Sequence, residues 1–254
     1  MGAGPGDPEL LTMKARALLN CANAVLHDDL VSAEIISLIR PQTEIVNVGK
    51  RCGLKKITQA EINGQMIALA KQGLRVVRLK SGDPAIFGRL AEETAALEAA
   101  GIPFEVVPGI TAGIAAAASL RVSLTDRRKS SRVVIVSGHP STENEELEKI
   151  DWKNLVRPET TLVIYMPGHN FSGLREELAA AGLPLGVPAV LVSQASTPRQ
   201  QQHCTTVGEM HNLPSLPAPA ILLIGISLER AHQRSSADNL SLALSEADLI
   251  VSAG

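Results

Sequence analysis

Short runs of β-branched and aliphatic residues recur along the chain between stretches of helical spacing. They are AVLH (24–27), EIVNV (44–48), LRVVRL (74–79), FEVV (104–107), RVVIVSG (132–138), TLVIYM (161–166), VPAVLVS (187–193) and PAILLIGI (219–226). Apolar runs of this length, separated by helices, predict mostly parallel sheets covered by helices, an α/β fold. Helix signals fall between them. Thr58 and Glu61 form a capping box ahead of INGQMIALAKQ, which Gly73 ends. AEETAALEAA is closed by Gly101, and Pro103 bars its continuation. Near the start, Asp7 is a good N-cap, Pro8 suits the first helical position, and Leu10, Leu11, Lys14, Leu18 and Leu19 repeat at helical spacing. The glycine loop before them, GAGPGD, has only Met1 in front of it, so no strand leads in.

The spacing changes around LRVSLTDRRKSSRV (120–133), which carries five basic residues and one acidic one. This places a domain boundary near 125, giving α/β domains at 1–125 and 126–254. The segment from about 234 to the end reads as a helix or loosely attached tail without chemistry. With 254 residues the chain can bury a sizeable core, and aromatics at 2% mean that aliphatic residues build it. So few rings argue against single-stranded nucleic-acid binding, which relies on base stacking. A net charge of −2 gives no global pull toward nucleic acid or acidic membranes. Cys21, Cys52 and Cys204 lie far apart, with no metal-like pairing to histidine, which fits a reducing cytoplasm and no metal site. No apolar run reaches membrane-spanning length.

The chemistry is expected after the strands. Gly, Pro and polar residues follow predicted strands in GAGPGD, HDDLVS (27–32), VGKRCG (48–53), KSGDPAIFGR (80–89) and VPGITAGIAAA (107–117). Loops at the carboxyl ends of parallel strands converge on one crevice. Each has a plain alternative: turn chemistry for the glycines, helix caps for Asp28 and Asp29, a solvated corner for Lys50 and Arg51. The first loop fails the dinucleotide fingerprint at its third glycine and lacks a Walker ending. A phosphate-free ligand follows: a planar adenosine held by backbone groups, with a methionine such as Met166 nearby.

Taken in order, GAGPGDPELLTMKA, DDLVS, VGKRCG, VVRLKSGDPAIFGR, GIPFEVVPGITAGIAAA, SGH, TLVIYM and PAILLIG resemble the tetrapyrrole (precorrin) methyltransferases across about residues 2–226. The resemblance is strongest to members that act on uroporphyrinogen III. It implies two α/β domains with S-adenosylmethionine in the cleft between them, a homodimer, and S-adenosylhomocysteine as product. It implies methylation of uroporphyrinogen III at carbons 2 and 7, giving precorrin-2 for sirohaem or cobalamin. Carried over by motif, Pro5, Ser81, Gly82, Asp83, Ile86, Thr111, Ala112, Met166, Ala195 and Ala220 contact the cofactor, Asp28 accepts a proton and Lys50 donates one. The substrate's eight carboxylates require fixed positive charge, and Arg51 and Arg127 lead two basic clusters that also hold Lys55, Lys56, Arg128, Lys129 and Arg132. Alternatives are another precorrin or diphthine-type methyltransferase, or a non-catalytic module that binds S-adenosylmethionine or a tetrapyrrole.

Several positions depart from the family pattern. Ser81 stands where a glycine is usual, which is expected to alter the loop if positive φ is needed there. Leu90 and Ala91 replace glycines, Asp126 replaces a histidine, and Ala195 replaces a glycine. The family's apolar strand before the glycine loop is also missing, so either the natural start lies upstream or the first domain is weakened.

Overall fold

The computed structural model describes residues 1–49, 57–138 and 150–234. Within them the chain is α/β and divides into two compact units, Met1–Ala115 with Ala195–Pro198, and Ala116–Gln194 with the chain from Arg199 onward. The first unit holds a parallel three-stranded sheet in which β1 (Ala24–His27) lies between β2 (Glu44–Asn47) and β3 (Val76–Leu79). All four residues of β1 are buried. Alternation along β1 sends neighbouring side chains to opposite faces. Val25 packs with Leu19, Ile35 and Leu79, whereas Leu26 packs with Val48, Ile62 and Met66.

The first helical stretch is broken in two, unlike the single helix expected from its spacing. The Asp7 carboxylate accepts from the Glu9 amide and caps only a three-residue 3-10 turn, Pro8–Leu10. Thr12 then starts α1 (Met13–Leu19) with its own cap, Oγ1 accepting from Ala15 N at 3.1 Å. A second cap interrupts a helix because it fixes its residue in extended backbone. After the short α2 (Ala33–Ile36), α3 (Gln59–Lys71) begins with the expected capping box, and α4 (Leu90–Ala99) ends before Gly101, whose φ is +68°.

FEVV (104–107) belongs to no strand ladder, contrary to expectation. A strand needs a neighbouring backbone within hydrogen-bond reach. A cavity of ≈ 410 Å³ has Val76, Val77 and Arg78 on its wall together with Phe104, Glu105 and Val106. Val107 O accepts from Gly2 N at 2.9 Å. Residues 1–4 run along the end of β3 instead: Lys80 N donates to Met1 O at 3.0 Å, and Ala3 N to Lys80 O at 2.7 Å.

The second unit begins beyond the first residues of α5 (Ala112–Ser119) and holds a five-stranded sheet of order β4-β5-β8-β6-β7. These strands are β4 (Arg132–Ser137), β5 (Thr160–Tyr165), β6 (Pro188–Ser193), β7 (Gln201–Thr206) and β8 (Ala220–Ile224). Only β4 and β5 run parallel; the other three pairings are antiparallel. The expectation of mostly parallel sheets therefore holds for the first unit and is corrected for the second. An unbroken apolar run reports burial on both faces, as in β5 and β6, and says nothing about direction. Antiparallel neighbours also need no helical crossover, and only residues 194–200 join β6 to β7.

The helices α6 (Trp152–Leu155) and α7 (Phe171–Ala180) complete a core in which Leu162, Ile164, Leu178, Leu191, Leu222 and Ile224 meet. The Trp152 indole enters that core with its N–H donated to Glu177 Oε2 at 2.7 Å. No described helix is long and apolar enough to cross a membrane.

Two substitutions test this packing. Gly64 lies within α3 with nothing near its Cβ position, so Gly64→Ala is expected to raise stability by about 0.5–1 kcal/mol in urea unfolding. Leu222 is fully buried, and Leu222→Ala is expected to lower stability by about 2–5 kcal/mol in the same assay.

Candidate functional site

Three of the glycine loops interlock in the first unit through their backbones. Gly4 N donates to Gly82 O at 3.1 Å, and Gly82 N returns a bond to Gly4 O at 2.7 Å. The Asp83 carboxylate takes the Gly109 amide on one oxygen (2.9 Å) and the Ala85 amide on the other (2.8 Å), tying the third loop to the second. A Cβ on Gly2 would lie 2.6 Å from Gly82 O and 2.7 Å from Gly109 Cα, and one on Gly109 would meet Gly82 O closer still. Glycine at 2 and 109 is thus required by close approach. Gly82 has φ +66° and lies against Thr111 and the Ala112 amide, which opens α5. Around this knot Pro5, Ser81, Asp83, Ile86, Thr111 and Ala112 are all half-buried, each with part of its surface open to a ligand.

A fourth loop, DDLVS, joins the same knot. Ser32 Oγ donates to Gly6 O at 2.7 Å, and Asp28 N donates to Leu79 O at 3.3 Å. Asp28 therefore stands at the carboxyl end of β1, beside the strand that runs into Ser81 and Gly82. Its carboxylate is held by Arg78, whose Nη2 lies 2.5 Å from Asp28 Oδ1. The Arg78 Nε donates to Glu93 Oε1 at 2.9 Å, and Lys80 Nζ meets Glu93 Oε2 at 2.7 Å. Burial holds the Lys80 ammonium below the usual lysine range; Arg78 adds to that effect and Glu93 opposes it. Next to Asp28, Asn47 Nδ2 donates to Asp29 Oδ1 at 2.9 Å, and a Cβ on Gly49 would displace the Asp29 carboxylate.

Lys50 and Arg51, the expected proton donor and substrate cation, lie outside the described residues, as do Cys52, Lys55 and Lys56. Ala195 is buried in a segment that clusters with the first unit, and its neighbour Thr197 occupies the space a Cβ on Gly6 would need. The remaining candidates belong to the second unit. Met166 follows β5 at φ +51° and is 47% exposed. Ala220 opens β8 opposite Ser193. Arg127 is exposed and forms no ion pair among the described residues. Its neighbours are engaged: Arg128 binds Asp126, and Lys129 binds Glu229 at 2.6 Å. The hydrogen bond from Arg128 holds the Asp126 carboxyl below the usual range, so the residue that replaces a histidine braces a turn.

Neither Ser81 nor Ala195 has positive φ. The concern that Ser81 alters its loop is therefore answered by the backbone: the left-handed residue is Gly82, which is kept. Leu90 and Ala91 form the first turn of α4, where a side chain is no obstacle.

Residues 1–211 match the family model for tetrapyrrole (corrin/porphyrin) methylases. The chain belongs to the tetrapyrrole methylase family. Among curated methylase relatives, a uroporphyrinogen-III C-methyltransferase of Paracoccus denitrificans is 42% identical over 228 residues, which is 89% of this chain and 79% of that protein. A siroheme synthase of Nitrosococcus oceani is 41% identical over 89% of this chain but only 48% of its own length. The chain thus spans about half the length of the siroheme synthases it matches. Among solved methylase structures, a Thermus thermophilus uroporphyrin-III C-methyltransferase complexed with S-adenosylhomocysteine aligns with a TM-score of 0.76 at 35% identity, over 90% of this chain and 97% of that one. A cobalt precorrin-4 methyltransferase aligns with a TM-score of 0.80 at 30% identity, over 90% and 94%.

Sequence reasoning about this methylase missed Arg78, Glu93 and the role of Gly109. One signal was present: two cations, Arg78 and Lys80, in and beside an otherwise apolar strand whose side chains enter the interior. Charged residues are almost never fully buried unless paired, and Glu93, the buried acidic residue of α4, pairs with both cations. The interlock itself is tested by Gly109→Ala. Overpacking of about 1–3 kcal/mol is expected to speed hydrogen exchange at the Ala3, Gly4 and Gly82 amides by roughly tenfold or more. Unchanged exchange at all three would show that the loops do not depend on that contact.

Proposed function

We propose that this methylase transfers methyl groups from S-adenosylmethionine to carbons 2 and 7 of uroporphyrinogen III, giving precorrin-2 for sirohaem or cobalamin formation. The observation that carries this reading is the interlock of the 2–6, 80–83 and 109–112 loops, with Asp28 beside it in the loop that follows β1. The half-buried faces of Pro5, Ser81, Asp83, Ile86, Thr111 and Ala112, with the buried Gly82 among them, fit a planar nucleoside recognised by backbone groups; Met166, Ala195 and Ala220 are proposed as further cofactor contacts from the motif assignment. S-adenosylmethionine supplies an electrophilic methyl group on sulfur. The protein's task is then alignment of the attacking pyrrole carbon and removal of the proton that methylation leaves on the macrocycle.

Asp28 takes that proton in this reading. The side chain is one-third exposed, and among the described residues Oδ2 has no partner, so one oxygen is fixed and the other is open to substrate. Lys50 returns a proton to the macrocycle, and Arg51 and Arg127 bind carboxylates at its periphery. We further propose domains at 1–125 and 126–254 and a cytoplasmic homodimer. The likeness to a cobalt precorrin-4 methyltransferase supports a second reading, a later precorrin as substrate.

Anaerobic incubation with methyl-labelled S-adenosylmethionine decides between the two when uroporphyrinogen III and precorrins are offered in parallel. Label is expected in uroporphyrinogen III and its product; label only in later precorrins favours the second reading, and cofactor binding without transfer marks a binding module. Asp28→Asn is expected to lower turnover roughly a hundredfold or more with cofactor affinity retained. Arg127→Ala is expected to raise the KM for the tetrapyrrole several-fold while leaving that for the cofactor unchanged.

A further inference from the structure

We propose that Arg78 is a positioning residue that aims Asp28 at the substrate, an inference that rests on the reading of Asp28 as the base. A carboxylate at a strand end rotates about two side-chain bonds, and a base must lie within hydrogen-bond reach of the proton it removes. Arg78 restricts that rotation. Its guanidinium is pinned at four points on three elements: Nε to Glu93 Oε1 on α4 at 2.9 Å, Nη1 to the Leu26 and Leu79 carbonyls at 3.4 and 3.2 Å, and Nη2 to Asp28 Oδ1 at 2.5 Å. Because the guanidinium is planar, fixing three nitrogens fixes the direction in which Nη2 points.

Charge balance separates this role from simple neutralisation of Glu93. That carboxylate is buried and already meets Lys80 Nζ at 2.7 Å, with Gln59 Nε2 as a further donor at 3.3 Å. Lys80 and Glu93 therefore balance each other. The partner that balances Arg78 is Asp28, and the side chain of Arg78 is 11% exposed, against 32% for Asp28. The chain of contacts runs from a buried anchor on α4 through a fixed fork to a half-exposed carboxylate. A lysine at 78 keeps the charge but has a single nitrogen, so it cannot reach Glu93, the two carbonyls and Asp28 in the same geometry.

The test is a double-mutant cycle on turnover in the labelled-methyl assay with uroporphyrinogen III, using Arg78→Lys, Asp28→Asn and both together. Arg78→Lys is expected to lower kcat roughly tenfold or more, with the KM for S-adenosylmethionine within about twofold of wild type. In the Asp28→Asn background the same change is expected to alter kcat by less than about threefold, because its effect passes through Asp28. If Arg78→Lys does not fold, Arg78→Gln, which leaves the Lys80–Glu93 pair intact, replaces it in the same cycle. Equal losses in both backgrounds overturn the positioning role and leave the base standing. An Asp28→Asn variant with wild-type kcat overturns the base assignment and, with it, any action of Arg78 through that residue.

Discussion

Glu93 is a carboxylate with 3% of its surface exposed, held by two cations that follow one another on the same face of the strand segment 78–80. Removing one partner of a buried ion pair typically costs about 3–5 kcal/mol, because the other charge is left without compensation. The first unit therefore depends on α4 lying where it does over β3. Through Lys80 the constraint reaches the glycine loops, since the Lys80 backbone pairs with Met1 and Ala3 on both its N–H and its carbonyl. Through Arg78 it reaches Asp28 at the end of β1. One buried carboxylate thus sets the positions of both parts of the candidate site within this unit.

That dependence explains why the site is built mainly from backbone. Gly2 and Gly109 approach the Gly82 carbonyl within distances that exclude a side chain on either, and the bonds between the loops use amides and carbonyls. Side chains enter only as locks: Asp83 on the Gly109 and Ala85 amides, Ser32 on the Gly6 carbonyl. A cradle of this kind tolerates Ser81, whose φ is ordinary, and needs the glycine next to it, whose φ is +66°.

The strands at 24–27, 160–165, 188–193 and 220–224 were legible because burial on both faces leaves an unbroken apolar run, whereas those at 44–47, 76–79 and 132–137, less buried, were legible from their β-branched residues. Strand β7 was not, since Gln201, Gln202 and His203 at the sheet edge are exposed and carry no apolar signal. Direction was illegible for a related reason: β8 pairs antiparallel with β5 and β6, a fact of connection that composition does not encode. At the site, motif order located the loops and Asp28, but the Arg78–Glu93 pair joins positions fifteen residues apart in sequence through tertiary register alone. Lys50 and Arg51 fall outside the described residues, so their expected roles gain no geometry.

The opening GAGPGD stretch shows how local structure narrows the ligand class. A phosphate cradle relies on amides and a macrodipole at the start of an α-helix. Here the loop runs into a 3-10 turn of three residues, and α1 starts only after the separate Thr12 cap. The turn's first free amide is already taken by Asp7, a carboxylate that repels phosphate, and a second carboxylate, Asp83, sits in the facing loop. Both acids disfavour a polyanion and are compatible with a neutral or cationic ligand. A nucleoside bearing a sulfonium meets that electrostatic requirement, whereas a dinucleotide or nucleoside triphosphate would place its charge against both acids.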